Sequence, residues 1–114
     1  MLDFRALSLF SSAGIAETYF ERQGVHVRVA SELLEERVRL YRQMYPSVRM
    51  FQGDITFKDI YSQVIEAAKE EKCDFLLATP PCQGMSKAGL KKKADPRNSL
   101  ILVVINAIKD LLPK

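Results

Sequence analysis

The sequence is poor in the residues that hold small secreted or metal-dependent domains together. It has two cysteines, Cys73 and Cys82, in 114 residues. Two cysteines make no disulfide framework, and their spacing is not CxxC. His26 is the only histidine, so no zinc site, and no other metal, is expected within the chain. No apolar run approaches the ~20 residues that cross a bilayer, and no membrane partner is expected. The opening MLDFRALSLF lacks a basic segment, a long apolar stretch and a small-residue cleavage site, so it does not read as a secretion signal. A reducing cytoplasm is the expected compartment. Internal repeats and low-complexity segments are also lacking.

What is present suits one soluble domain. Hydrophobic residues make up 47% and charged residues 27%, the balance of a globular chain with a small core. The net charge of +3 permits a polyanionic partner without requiring one.

Strand and helix patterns alternate along the chain. RALSLF (5–10) reads as a strand, and SSAG follows as a small-residue turn. From Ile15 the period becomes helical, with Ile15, Ala16, Tyr19 and Phe20 on one expected inner face and Gly24 as a natural stop. VHVRVA (25–30) alternates as a second strand, and Ser31 offers an N-cap. The next helix has Leu34, Val38, Tyr41 and Tyr45 in one stripe and ends at Pro46. VRMF (48–51) is a short third strand. After it, Asp54 or Thr56 can cap a helix whose Phe57, Ile60, Tyr61, Val64, Ile65 and Ala68 form an amphipathic face. DFLLA (74–78) is continuously apolar, as a central parallel strand should be. A polar loop runs from Thr79 to about Arg97. Asn98 or Ser99 then opens a last helix, LILVVINAIKDLL, apolar nearly all round and expected to be buried. This order predicts an α/β fold with a Rossmann-like, doubly wound, mostly parallel sheet of about four strands.

Ligands of such sheets bind beyond the carboxyl ends of the strands. The first end carries Phe10, Ser11, Ser12, Ala13 and Gly14, small enough for close backbone approach and followed by a helix N-terminus. The second carries Glu32, placed to accept from both hydroxyls of a ribose. The third carries Asp54, able to accept from an adenine amino group, and the fourth leads to Cys82 in ATPPCQGMS. Taken singly, each has a plainer reading. SSAG can be an ordinary turn, Glu32 an acid favouring a helix dipole, and Asp54 a cap. The lysines at 91–93 can be a solvated loop, and Cys82 a packing residue, a redox thiol, a metal ligand or a nucleophile. Their ordering, one per strand end, favours a single nucleoside pocket with a thiol at its edge.

LSLFSSAGIAE, ASELLEE, QGDIT, ATPPCQGMS and DPRNSLI occur in the order, and at roughly the spacings, of the first five motifs of the DNA (cytosine-5) methyltransferase family. The chain resembles that family from about Ala6 to Leu112, with PPCQ and DPRNSLI as the most specific blocks. Ser12 and Ile15 stand where the family often has glycine. The resemblance implies the S-adenosylmethionine-dependent methyltransferase fold. Residues 1–114 would be the N-terminal part of its catalytic domain, joining the cofactor-binding half to the catalytic-cysteine loop. Phe10, Ser11, Ser12, Ala13, Gly14 and Ile15 would hold S-adenosylmethionine, and after reaction S-adenosylhomocysteine. Glu32 would take the ribose. Leu33 would lie against the adenine, where the family often has a larger side chain. Asp54 and Ile55 would hold the adenine edge and face, and Pro80 and Leu100 would close the pocket. Cys82 would be the nucleophile that adds to C6 of a flipped cytosine, so that C5 becomes nucleophilic enough to take a methyl group. Gln83, Ser86, Lys91, Lys92, Lys93 and Arg97 would contact DNA, the basic residues through phosphates.

The family continues into a glutamate-bearing strand and a target-recognition domain that this sequence does not show. The implied reading is therefore a methyltransferase piece, inactive alone, whose partners are DNA and a C-terminal half or second subunit. Self-association through an exposed sheet edge is a further expectation. A transfer-RNA cytosine-5 methyltransferase, a non-catalytic cofactor-binding module and an unrelated nucleotide-binding protein with a redox thiol are the alternatives. The family implies a restriction-modification setting.

Overall fold

A computed structural model describes residues 3–79 and 98–111. The elements are β1 (Phe4–Leu9), α1 (Ile15–Arg22), β2 (Val25–Glu32), α2 (Glu35–Met44), β3 (Arg49–Gln52), α3 (Lys58–Glu70), β4 (Phe75–Ala78) and α4 (Asn98–Leu111). The strands form one parallel sheet in the order β3-β2-β1-β4. The chain winds outward from β1 to β3 and then crosses to the other side of β1. That reversal opens a crevice at the carboxyl ends, the place where doubly wound sheets hold ligands.

Residues Ala6 to Leu9 of β1 are all buried, which explains why this strand is apolar on both faces apart from Ser8. One face of the sheet packs Ala6, Val25, Val27 and Ala30 against Val38 and Tyr41 of α2, with Phe20 of α1 beside them. The other packs Leu7, Leu9 and Val29 against Val64, Ile65 and Ala68 of α3 and Val103 and Ala107 of α4. Each fully buried Leu or Val here contributes about 1.5–3 kcal/mol of transfer free energy.

The pairing of β1 with β2 slips between Ala6 and Leu7, whose partners are Val27 and Val29. Arg28 is the extra residue of this bulge. The slip switches the parity of β2, so Val25 and Val27 face one core and Val29 the other. Arg28 is thereby free to pair with Glu71, which also pairs with Arg5 and Arg49. Burial raises the Glu71 pKa, but the hydrogen bonds and charges of Arg28 and Arg49 outweigh it and the net shift is downward. One carboxylate thus ties the first three strands together.

Several expectations are corrected. On α1, Ile15 and Tyr19 are 72% and 69% exposed, and it is Glu17 that is buried. Ser31 does not cap a helix: β2 continues to Glu32, and α2 starts at Glu35 with Leu34 as its N-cap. The last helix buries Val103 and Ala107 but leaves Leu102, Ile105 and Ile108 exposed among the described residues. No described helix is long and apolar enough to cross a membrane.

Candidate functional site

A cleft of about 430 Å³ lies at the carboxyl ends of all four strands. Phe10 and Ser12 line it after β1, Ser31 to Leu34 at the end of β2, Gly53 to Ile55 after β3, and Thr79 after β4. Leu100, in the first turn of α4, and Arg37, in α2, complete the wall. The anticipated Phe10, Ser12, Glu32, Leu33, Asp54, Ile55 and Leu100 therefore meet in one cavity. Ser11, Ala13, Gly14 and Ile15 do not line it. Pro80, Cys82, Gln83, Ser86, Lys91, Lys92, Lys93 and Arg97 lie outside the described residues.

The turn after β1 is unusual in its backbone. Phe10, Ser12 and Gly14 all have positive φ, at 57°, 57° and 82°. For the two that are not glycine this conformation costs roughly 1–2 kcal/mol each. Such strain persists only where neighbours over-determine it, and here they do. The backbone N–H and the hydroxyl of Ser11 both donate to the Ser31 carbonyl, at 3.2 and 3.4 Å. The Ser12 N–H donates to Glu32 Oε1 at 2.9 Å. The Thr79 hydroxyl donates to the Phe10 carbonyl at 3.2 Å, so the end of β4 is fastened to the same turn.

Glu32 is the hinge of the arrangement. It is 6% exposed. Its Oε1 accepts from Ser12 and its Oε2 from the Leu34 N–H at 2.8 Å. A carboxylate offers about four lone-pair sites. Two are used by these donors, which fix the plane of the group and leave one acceptor position on each oxygen. A pair of vicinal hydroxyls would match that geometry. The Glu32 carbonyl also accepts from Gly53 N–H at 3.0 Å, which brings the β3 end alongside. There Asp54 Oδ1 accepts from both the N–H and the hydroxyl of Thr56, at 2.9 and 2.6 Å, which orients its carboxylate at the cleft wall. Ile55, 6% exposed, supplies an apolar surface beside it.

Beneath the turn is a second polar group. Glu17 is 4% exposed, and its Oε1 accepts from the Ser8 hydroxyl at 2.7 Å. Burial raises the Glu17 pKa, and the bond from Ser8 only partly offsets this. Glu17 Oε2 and the Tyr41 hydroxyl have no hydrogen-bond partner among the described residues. Burial, then the nearby Glu17 charge, also raises the Tyr41 pKa. Burial pushes the Cys73 pKa up to about 11, which disfavours the reactive thiolate. No described group of three or more His, Cys, Asp or Glu could hold a metal ion.

Five lining residues escaped the sequence reading of the site: Ser31, Leu34, Arg37, Gly53 and Thr79. Arg37 had a usable signal, since it lies in the first turn of the helix that follows Glu32 and Leu33. Thr79 had one as well, standing between the β4 run and PPC.

The family model described as C-5 cytosine-specific DNA methylase matches residues 4–114. The chain is 46% identical over 112 residues to the Type II methyltransferase M1.HgaI of Avibacterium volantium, covering 94% of this chain and 31% of that protein. It is 35% identical over 117 residues to the Type II methyltransferase M.AquIA of a Picosynechococcus strain, covering 99% of this chain and 46% of that protein. The chain thus spans about a third to a half of the length of these relatives. Among solved structures, a protein assigned as a DNA modification methyltransferase, encoded within an E. coli prophage, superposes with a TM-score of 0.75 at 23% identity, covering 97% of this chain and 30% of that one. Spodoptera frugiperda DNMT2 superposes with a TM-score of 0.67 at 21% identity, covering 96% and 32%. Both share the fold.

Proposed function

The chain belongs to the C-5 cytosine-specific DNA methylase family, and on that footing we propose that it forms the cofactor-binding and nucleophile-bearing part of a DNA (cytosine-5) methyltransferase. The observation that carries the proposal is the cleft itself. Four strand ends converge on one cavity, and the two acids that line it, Glu32 and Asp54, are held by backbone and side-chain donors rather than by counter-ions. Such acceptors suit a neutral, hydroxyl-bearing nucleoside better than a phosphate.

S-adenosylmethionine fits this donor and acceptor set, and when bound it supplies an electrophilic methyl group on a sulfonium. Glu32 takes the two ribose hydroxyls on its free lone pairs. Asp54 and Ile55 hold the edge and face of the adenine, with Leu33 opposite. Phe10 and Ser12 face the rest of the molecule from a turn shaped by Ser11, Ala13 and Gly14, Ile15 opens the following helix, and Pro80 and Leu100 are the residues proposed to close the site. Cys82, four residues beyond β4 in the sequence, is the proposed nucleophile. Its thiolate adds to C6 of cytosine, which moves electron density to C5; after C5 has gained its methyl, loss of the C5 proton expels the thiolate. The target base must leave the duplex stack for this, and Gln83, Ser86, Lys91, Lys92, Lys93 and Arg97 are the proposed DNA contacts.

Activity is proposed for a protein in which the other regions found in the relatives accompany this chain, either on it or as a second subunit. The outer edge of β4 is unpaired among the described residues, and it is the natural place for such a region, or a second copy, to add. A cytoplasmic restriction-modification enzyme is the setting that this reading supports.

Calorimetric titration tests it. The chain should bind S-adenosylmethionine and S-adenosylhomocysteine saturably and ignore NAD, and Glu32→Ala should weaken both by at least tenfold, since it removes two charge-assisted hydrogen bonds. Preference for NAD, or indifference to Glu32→Ala, would contradict the proposal.

A further inference from the structure

Helix α2 is flanked by two residues that hold the same turn. Glu32, ahead of its first residue, takes the Ser12 N–H. Tyr45, its C-cap, donates its hydroxyl proton to the Gly14 carbonyl at 2.6 Å. The same phenol oxygen lies 2.5 Å from Thr18 Oγ1. A phenol has one proton, and a carbonyl cannot donate. The Tyr45 proton therefore goes to Gly14, and the Thr18 hydroxyl must donate to the Tyr45 oxygen. The result is a one-way chain from Thr18 to Tyr45 to Gly14.

The Tyr45 ring also lies flush against the turn. A Cβ placed on Gly14 would fall 2.5 Å from Tyr45 Cε2 and 2.8 Å from the Tyr41 ring. The turn needs such outside support. It has three positive φ angles, two of them on residues other than glycine, and Gly14, the N-cap of α1, has no side chain with which to cap it. Glu32 fixes the Ser12 end, and at the other end the Gly14 N–H reaches only the Ser11 carbonyl of the same turn, so Tyr45 is the contact that ties this end to another element.

We propose that Tyr45 is a positioning residue for cofactor binding: its hydroxyl, aimed by Thr18, holds the Gly14 carbonyl so that the turn presents Phe10 and Ser12 to the cleft in one backbone conformation. This rests on the cofactor reading given above. It adds that α2 serves as a spacer whose two flanks set the shape of the turn. Tyr45 touches no ligand in this role and acts through Gly14.

The test compares the wild-type chain with Tyr45→Phe, which keeps the ring and loses only the hydroxyl, and Thr18→Val, which removes only the aiming donor. Two quantities are read: affinity for S-adenosylhomocysteine by calorimetry, and hydrogen exchange of the Ser12 and Gly14 amides without ligand. Both amides are hydrogen-bonded, to Glu32 and to the Ser11 carbonyl. Tyr45→Phe should weaken binding about fivefold and speed exchange of these two amides by a similar factor. The amides of β1 should exchange as before, and Thr18→Val should show a smaller change of the same kind. A purely structural role would not speed exchange at this turn selectively and would speed it across the domain instead. Wild-type affinity and exchange in Tyr45→Phe would overturn this inference and leave the cofactor reading standing. Failure of the wild-type chain to bind S-adenosylhomocysteine would overturn both, whatever the exchange rates.

Discussion

Replacing Gly14 with alanine puts the turn geometry to its severest test. Two costs add. The backbone sits at φ 82°, where a side chain costs roughly 1–2 kcal/mol. The new Cβ would also lie 2.5 Å from the Tyr45 ring and 2.8 Å from the Tyr41 ring. Tyr41 is fully buried, and the two rings pack with centroids 4.9 Å apart, so neither can swing aside cheaply. Overpacking of this kind costs about 1–3 kcal/mol. The sum, roughly 2–5 kcal/mol, is a large share of the 5–15 kcal/mol that stabilises a typical domain. For a chain of this size it lowers the melting temperature by roughly 8–20 °C. Gly53 provides the control. Its φ is 146°, and a Cβ there would meet the Ile60 Cδ1 methyl at 2.9 Å, the end of a side chain that can rotate. Both glycines carry a positive-φ cost, so Gly53→Ala is also destabilising, and it should cost less by about 1–3 kcal/mol through packing alone. Thermal and urea melts of both variants decide the matter. A Gly14→Ala chain that melts within 2 °C (about 0.5 kcal/mol) of wild type, or above Gly53→Ala, would refute the packing described here.

Three more expectations follow from single residues. Because the Glu17 carboxyl titrates above its usual range, its contribution to stability is present at acid pH and is lost as pH rises through the folded-state pKa; Glu17→Gln should therefore stabilise the chain at pH 7, on the order of 1 kcal/mol, and the gain should vanish below about pH 4, as urea melts across that window will show. Tyr41→Phe removes a buried hydroxyl with no partner among the described residues, so it should be neutral or stabilising by up to about 1 kcal/mol, against the usual loss on core substitution; a loss of 2 kcal/mol or more would show that the hydroxyl is in use. Methyl incorporation into mixed-sequence DNA by any active protein that contains this chain should fall by more than a thousandfold, roughly 4 kcal/mol, with Cys82→Ser, and retained turnover would remove Cys82 from the proposed chemistry.

The strand ends were legible because local pattern and fold agree there. The apolar run before Phe10, the alternation before Glu32 and the run before Thr79 each stop where a polar or small residue enters the cleft, and the alternation of strand and helix fixed their order. The inner face of α1 was not legible. Its periodicity pointed Ile15 and Tyr19 inward, whereas the helix turns Glu17 to the sheet because Ser8, a residue of another element, is there to bond it. That pairing crosses nine residues and leaves no trace in a hydrophobic pattern. The last helix was misjudged for a related reason: an all-round apolar sequence shows which residues seek cover, not where the described sheet ends. The strained turn was also hidden. Ser12 reads as an ordinary small residue, and only the Glu32 carboxylate, brought up by β2, explains its positive φ.

The location of cofactor binding is the centre of this account, and backbone NMR of the chain titrated with S-adenosylhomocysteine tests it most directly. The largest shifts should fall at the turn after β1, at Glu32 to Leu34, at Gly53 to Ile55 and near Leu100, with small shifts at the amino ends of the strands. Saturable shifts confined instead to the groove formed by Glu35, Arg39, Arg42 and Gln52 on the other side of α2, or no shifts at all, would contradict it.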